Sequence, residues 1–338
     1  MAENAIETDR LTKRFRRLRS YRDIAMYRWR QATHPAVEEI TLEVRRGELF
    51  GLLGENGAGK TTLIKMLSTT LLPTSGRASV AGYDVVAEAQ AVRRVIGLVN
   101  GDERSFYWRL TGRQNLRYFA ALYHVPRHVT ADRVVDLLEM LGVAEIADER
   151  FSTYSTGIRQ KFAIARGLLT QPRVLFLDEP TRALDPIAAE GLRRYIADHI
   201  VGERGYTALL ATHSLSEAES ICDRVTIIRG GRVIASGSVH ELTRSMRLAA
   251  VFEIIVSGPT LDIAKRISAV RGLPPVSVTD EGEQSKLEIN IEAEDGDMNS
   301  LLRAVLDSGA HVQSCTTRLP TLDDVYRAAH TRDSAADE

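Results

Sequence analysis

The 338-residue chain has only two cysteines, Cys222 and Cys315, far apart and without a CxxC spacing. That excludes a disulfide framework and a cysteine-based metal centre; two reduced core thiols in a cytosolic protein are expected. No stretch approaches the roughly 18–20 consecutive apolar residues that a membrane span needs. The start, MAENAIETDR, has no apolar run behind a basic head, so no signal peptide is expected. Neither sign of charge prevails: 44 Lys and Arg face 45 Asp and Glu, a net charge of -1. The electrostatic footprint of a nucleic-acid binder is therefore lacking, and no nucleic-acid partner is expected. Tandem repeats and low-complexity linkers are not found. What remains is an ordinary globular composition, 44% apolar and 26% charged, in a length that suits one large domain plus a smaller one.

Residues 1–10 are polar and read as loose, with a strand beginning at 11–15. The segment 16–35, RRLRSYRDIAMYRWRQATHP, is basic and aromatic, with Leu18, Ile24 and Tyr27 near helical spacing. Alternation over 36–44 predicts a strand, Arg46-Gly47-Glu48 a turn, and Leu49 to Leu53 an apolar strand running into a glycine-rich loop at 54–59. A helix is predicted over Lys60–Leu71, closed by Pro73 and Gly76. Short strands around one helix follow to residue 100, and about 104–170 reads as a helical insert. Strands recur at Val174–Leu177, Thr207–Thr212 and Val225–Arg229, and Gly230-Gly231 predicts a hairpin. Strands alternating with helices imply a largely parallel sheet.

A second unit starts near 245. Its order is strand Val251–Val256, helix Leu261–Val270, strands Val276–Thr279 and Lys286–Ile291, helix Met298–Ser308 and strand Ala310–Cys315. That is the ferredoxin-like β-α-β-β-α-β order, with the acidic stretch 292–297 as a turn. A last helix at about 320–330 and a ragged tail at 331–338 complete the chain. The expectation is an α/β domain over 1–242, with a mostly parallel sheet, the helical subdomain and the insert 16–35, followed by a small α+β (ferredoxin-like) domain over 243–330.

Two motifs carry chemistry. Gly54-Glu55-Asn56-Gly57-Ala58-Gly59-Lys60-Thr61 completes the GxxxxGK[ST] pattern, so the first domain reads as a P-loop NTPase with a Walker A loop. Glycines let backbone N–H groups wrap anionic oxygens, and the helix beneath adds its positive end. Lys60 is expected to reach the β- and γ-phosphates and Thr61 to ligate Mg²⁺, with Thr62 completing the ATP-binding set. Val174-Leu175-Phe176-Leu177-Asp178-Glu179-Pro180 reads as a buried parallel strand that delivers two carboxylates to a crevice. Asp178 suits the Mg²⁺ shell, as a Walker B aspartate does, and Glu179 is placed to polarise the attacking water. An acidic strand-to-loop turn without chemistry is the plain alternative; the P-loop upstream argues against it.

With these motifs in order, the chain resembles the ATP-binding subunits of ABC transporters over about residues 11–240. Tyr154-Ser155-Thr156-Gly157-Ile158-Arg159-Gln160 stands at the family's signature sequence, Ala183-Leu184-Asp185 looks like its D-loop, and His213 like its switch histidine. The resemblance implies an ATPase that works as a dimer with a second copy or homologue. In that arrangement Ser155, Thr156 and Gly157 act in trans on the γ-phosphate, and Asp185 crosses the interface. His213 contacts the γ-phosphate and the attacking water, making Lys60, Glu179 and His213 the expected catalytic set. It also implies peripheral placement on the cytoplasmic side of the membrane, beside separate ABC-2 type transmembrane subunits. The C-terminal unit, ending in Pro320-Thr321-Leu322-Asp323-Asp324-Val325-Tyr326, is similar to the accessory domain of drug- and glycolipid-export ATPases. Other classes kept open are a soluble ABC-type ATPase acting on ribosomes or DNA, and a regulatory subunit that binds ATP and hydrolyses it weakly.

Three features depart from the family pattern. Thr156 replaces a glycine, and its Cβ is expected to restrict the backbone and weaken ATP affinity or turnover. The Q-loop lacks its glutamine: the chain reads Asn100-Gly101-Asp102-Glu103-Arg104, with Asp102 or Asn100 as substitutes and Gln114 too far along. The adenine-stacking aromatic is assigned to Phe15, with the insert looping out behind it; Tyr27 or Trp29 are alternatives. The insert itself reads either as a solvated helix or as a segment near anionic lipid or the membrane subunit.

Overall fold

The structure is a computed structural model that describes residues 4–16, 33–100, 105–246, 248, 250–257, 276–280, 284–291, 303, 305–307 and 311–336. Most of the basic insert (with Tyr27 and Trp29), Asp102, the expected helix Leu261–Val270 and the acidic turn at 292–297 lie outside the described residues. Two compact units divide the chain, Met1–Ser238 and Val239–Glu338, just ahead of the expected boundary at 242/243.

In chain order the first unit contains β1 (Asn4–Arg16), β2 (Thr33–Arg45), β3 (Leu49–Leu53), α1 (Lys60–Leu67), β4 (Ser75–Val80), β5 (Tyr83–Asp84), α2 (Ala89–Val95) and β6 (Ile96–Asn100). Then come α3 (Gly112–Leu122), α4 (Arg127–Met140), α5 (Thr156–Leu168), β7 (Val174–Asp178), α6 (Pro186–Tyr195), β8 (Thr207–Thr212), α7 (Leu215–Ile221), β9 (Arg224–Arg229) and β10 (Arg232–Gly237). A six-stranded sheet has the order β10-β9-β3-β8-β7-β6 and is parallel except for the β9–β10 hairpin. Gly230 and Gly231 both take positive φ in that hairpin's two-residue turn, as a type I′ turn requires.

The parallel strands are apolar at nearly every position because both faces are covered. Phe50, Leu52, Val174, Phe176, Leu209 and Ala211 face a core shared with α1 and β1, β2 and β4. Their neighbours Leu49, Leu175, Leu177, Ala208 and Leu210 face the opposite core, built with the helical segment. In that second core Phe151 stacks on Phe106 at 4.4 Å between centroids, and Tyr154 stacks on Phe162 at 5.0 Å.

The N-terminal expectation was too short. Residues 4–10 are not loose: they form the first half of β1, with Ala5, Ile6 and Thr8 buried. Together β2-β1-β4-β5 make a second, antiparallel sheet that the largely parallel expectation did not include. Register shifts between Thr8 and Leu11 and again between Leu11 and Lys13, with Arg10 at φ 44, explain the misreading. A bulge breaks the period-two alternation on which strand recognition relies. The helix after the P-loop also stops early, at Leu67, where Thr69 turns left-handed at φ 62.

The second unit contains α8 (Val239–Ser245), β11 (Ala250–Ser257), β12 (Val276–Asp280), β13 (Gln284–Ile291), β14 (His311–Arg318) and α9 (Leu322–Ala336). Its sheet order is β12-β13-β11-β14, antiparallel throughout. Counted within the unit this is 2-3-1-4, the arrangement that a split βαβ crossover produces. The expected tail at 331–338 is mostly helical, because α9 runs on to Ala336.

Helix α5 lies against β6 through two glycines: a Cβ built on Gly97 would stand 2.2 Å from the Gly167 carbonyl oxygen. Gly97→Ala is therefore expected to destabilise the first unit by about 1–3 kcal/mol through overpacking. Gly191→Ala, at an exposed helical position where a Cβ meets nothing within 4 Å, is expected to stabilise it by up to about 1 kcal/mol. Denaturant unfolding of the two variants checks the opposite signs.

Candidate nucleotide site

The loop 54–59 leaves the C-terminal end of β3 and closes on α1. Its shape is imposed from outside. Gly59 is the N-cap of α1 at φ 112, and a Cβ there would stand 2.3 Å from the Ala36 carbonyl of β2. A Cβ on Gly54, at φ 155, would meet the Ile228 carbonyl of β9 at 2.3 Å. The β9–β10 turn braces the loop: Gly231 N–H donates to the Ala58 carbonyl (3.0 Å), and Gly231 O accepts from Glu38 N–H (2.8 Å). Only glycine fits such close approaches at positive φ.

Lys60 is buried and folds back over the loop, its Nζ donating to the carbonyls of Gly54 (2.6 Å) and Glu55 (3.1 Å). An ammonium carries three donors, so one remains by count. Burial lowers the Lys60 pKa, and the nearby Glu179 and Asp178 carboxylates oppose that shift. Thr61 Oγ1 donates to Asp178 Oδ1 at 3.2 Å, across 117 residues of sequence. Burial raises the Asp178 pKa and Glu179 adds to the rise, while the Thr61 hydrogen bond and Lys60 lower it. A cavity of about 720 Å³ is lined by Asn56, Thr61, Asp178, Glu179 and Asn100 among others.

Glu179 has a left-handed backbone, φ 50, with its N–H donated to the Ala211 carbonyl at 2.9 Å. Its Oε1 stands 3.3 Å from His213 Nδ1. Arg182 Nη1 lies 3.5 Å from Oε2, close enough to attract but without a hydrogen bond, so the buried Oε2 has no donor among the described residues. A carboxylate with one oxygen held and the other unsatisfied is suited to accept a proton or orient water.

The family model described as ABC transporter matches residues 37–182. The daunorubicin resistance ATP-binding protein DrrA3 of Streptomyces coeruleorubidus is 35% identical over 331 residues, 96% of this chain and 96% of that protein. The doxorubicin resistance ATP-binding protein DrrA of Mycobacterium tuberculosis is 35% identical over 302 residues, 88% of each. The chain belongs to the ABC transporter ATP-binding proteins. Among solved structures, cbiO1 of Clostridium perfringens, part of the ABC transporter complex cbiONQ, superposes with a TM-score of 0.60 at 27% identity, over 70% of this chain and 89% of that one.

This ABC protein is thus an ATPase, and its other expected site residues have definite places. Ser155 is the N-cap of α5, its Oγ accepting from Ile158 N–H at 3.4 Å. Thr156 is the first residue of that helix and is not among the residues with positive φ. Gly157 follows in the same turn, and a Cβ there would contact Ala188 and Leu184 at ordinary distances. Asp185 caps α6, accepting from the N–H groups of Ile187 (3.1 Å) and Ala188 (3.0 Å). Within one subunit these four residues belong to the α5 and α6 N-termini and do not line the cavity with Thr61 and Asp178.

Phe15 is 44% exposed on β1, paired with His34, two residues from the Ala36 carbonyl that abuts Gly59. Thr62 lies in α1 next to Thr61. Of the two Q-loop substitutes, Asp102 lies outside the described residues, and Asn100 pairs in register with Asp178 and lines the cavity. Sequence reasoning missed Arg182, whose only signal was its position three residues after Glu179.

Gly59→Ala is expected to abolish ATP retention, because the added methyl collides with the Ala36 carbonyl and φ 112 is closed to alanine. Filter binding of radiolabelled ATP checks it; retention at the wild-type level would show that the loop tolerates the change.

Proposed function

We propose that this ABC ATPase powers export through separate ABC-2 type membrane subunits, closing as a dimer around ATP and Mg²⁺. The observation that carries the hydrolytic half of this reading is the Glu179–His213 pair, 3.3 Å apart at the mouth of β7 and β8. The transport half rests on full-length similarity to two resistance proteins named for daunorubicin and doxorubicin, which favours amphiphilic drug-like cargo. Among the described residues no helix is long and apolar enough to cross a membrane.

The loop N–H groups and the α1 N-terminus hold the phosphates, and Lys60 neutralises the outer ones. Phe15 stacks on adenine beside the loop. Thr61 and Asp178 suit Mg²⁺, which keeps several waters and takes one or two protein oxygens plus substrate phosphate. When bound, Mg²⁺ would offset negative charge on the transferred phosphoryl group.

Glu179 then orients the attacking water and takes its proton, and His213, beside Glu179, contacts the γ-phosphate and the attacking water. Asn100, at the end of β6, contacts the γ-phosphate side in place of the family's glutamine. A second copy completes the pocket. Its Ser155 hydroxyl, Thr156 and the Gly157 backbone meet the γ-phosphate at a helix N-terminus, and Asp185 reaches across the interface. Closure of the dimer brings these groups to the phosphates.

Glu179→Gln is expected to cut ATP turnover by about 10²–10⁴-fold while ATP retention persists, as loss of a general base requires. Phosphate release measured beside nucleotide retention tests this; turnover at the wild-type rate would remove Glu179 from the mechanism.

A further inference from the structure

One buried acid beside the site has no part in the mechanism above. Glu217, in the first turn of α7, is 2% exposed and makes no ion pair among the described residues. Its backbone N–H donates to Ser214 Oγ at 3.2 Å. Its side chain holds two other segments. Oε1 accepts from Thr181 Oγ1 at 2.7 Å, and Oε2 accepts from Thr212 Oγ1. Thr181 lies two residues beyond Glu179, and Thr212 immediately precedes His213.

A buried carboxylate without a counter-charge is costly, even when hydroxyls satisfy it. Its location suggests what the cost secures. The β7–β8 ladder ends at the pair Asp178–Ala211, one residue short of Glu179. Past that point Glu179 N–H still donates to the Ala211 carbonyl, and Glu179 itself is held in a left-handed conformation. The two catalytic side chains therefore sit where sheet hydrogen bonding has run out. Glu217 is the next connection between their segments.

We propose that Glu217 is a positioning residue for hydrolysis: its carboxylate clamps Thr181 to Thr212 and so fixes the approach of His213 to Glu179. The inference rests on the roles proposed for Glu179 and His213. Ionised, Glu217 accepts from both hydroxyls at once; a neutral amide of the same size cannot do so without reversing one of the bonds.

Steady-state hydrolysis by the full chain tests the clamp. Glu217→Gln is expected to lower kcat about 10–100-fold, the usual effect of displacing a reacting group slightly, while KM and ATP retention stay near wild type. Thr181→Val is expected to lower kcat alone, Thr181→Ser to restore most of it, and Thr181→Val to cost little more in the Glu217→Gln background. Wild-type kcat in folded Glu217→Gln overturns the proposal. So does loss of ATP retention in step with kcat, or Thr181→Ser as slow as Thr181→Val. Should Glu217→Gln not fold, the two Thr181 variants decide. A Glu179→Gln control separates the failures: slow Glu179→Gln beside unaffected Glu217→Gln sinks only the clamp, whereas active Glu179→Gln removes the reading beneath it as well.

Discussion

The register of four parallel strands is the constraint on which the site depends. Leu53 pairs with Thr212, Asp178 with Ala211, and Asn100 with Asp178, so the last residues of β3, β8, β7 and β6 end along one edge. From that edge the P-loop, Asp178 and Glu179, His213 and Asn100 all depart. A one-residue slip in any pair would turn its side chains to the other face. Slippage is opposed because both faces of these strands are packed: Phe176 and Leu209 belong to one core, Leu175 and Leu210 to the other. Packing therefore supplies the precision that chemistry at the edge needs.

Precision within a strand is not enough once the chain leaves the sheet. The P-loop is shaped by β2 and the β9–β10 turn, which approach Gly59 and Gly54 so closely that no side chain fits. The post-Walker B segment is held by one backbone bond to Ala211 and by Glu217. Ser155 and Asp185, by contrast, are fixed as helix caps, for α5 and α6. A cap holds its side chain firmly at a helix N-terminus, the end that favours anions. The two halves of the proposed pocket are thus each rigid by separate means, and meet only between subunits.

Much of this was legible in the chain. The P-loop combines residue types that rarely coincide by chance, and Leu175 to Glu179 shows a fully buried strand ending in acid. The hairpin at Gly230-Gly231 and the strand order of the second unit followed from turn chemistry and spacing. Other features were not legible, for physical reasons. The bulge in β1 breaks alternation, so buried Ile6 and Thr8 looked like part of a polar tail. Left-handed Glu179 and the Glu217 clamp depend on contacts between segments distant in sequence, which no local pattern reports. Composition alone makes Glu217 one more acid on a helix.

The central claim is that residues 54–61 grip phosphate rather than base. Calorimetric titration of the full chain with ATP, and separately with AMP, addresses that claim most directly. The account predicts saturable binding of ATP, no measurable binding of AMP over the same range, and loss of the difference in Lys60→Ala. Equal affinity for the two nucleotides in the wild-type protein would contradict it.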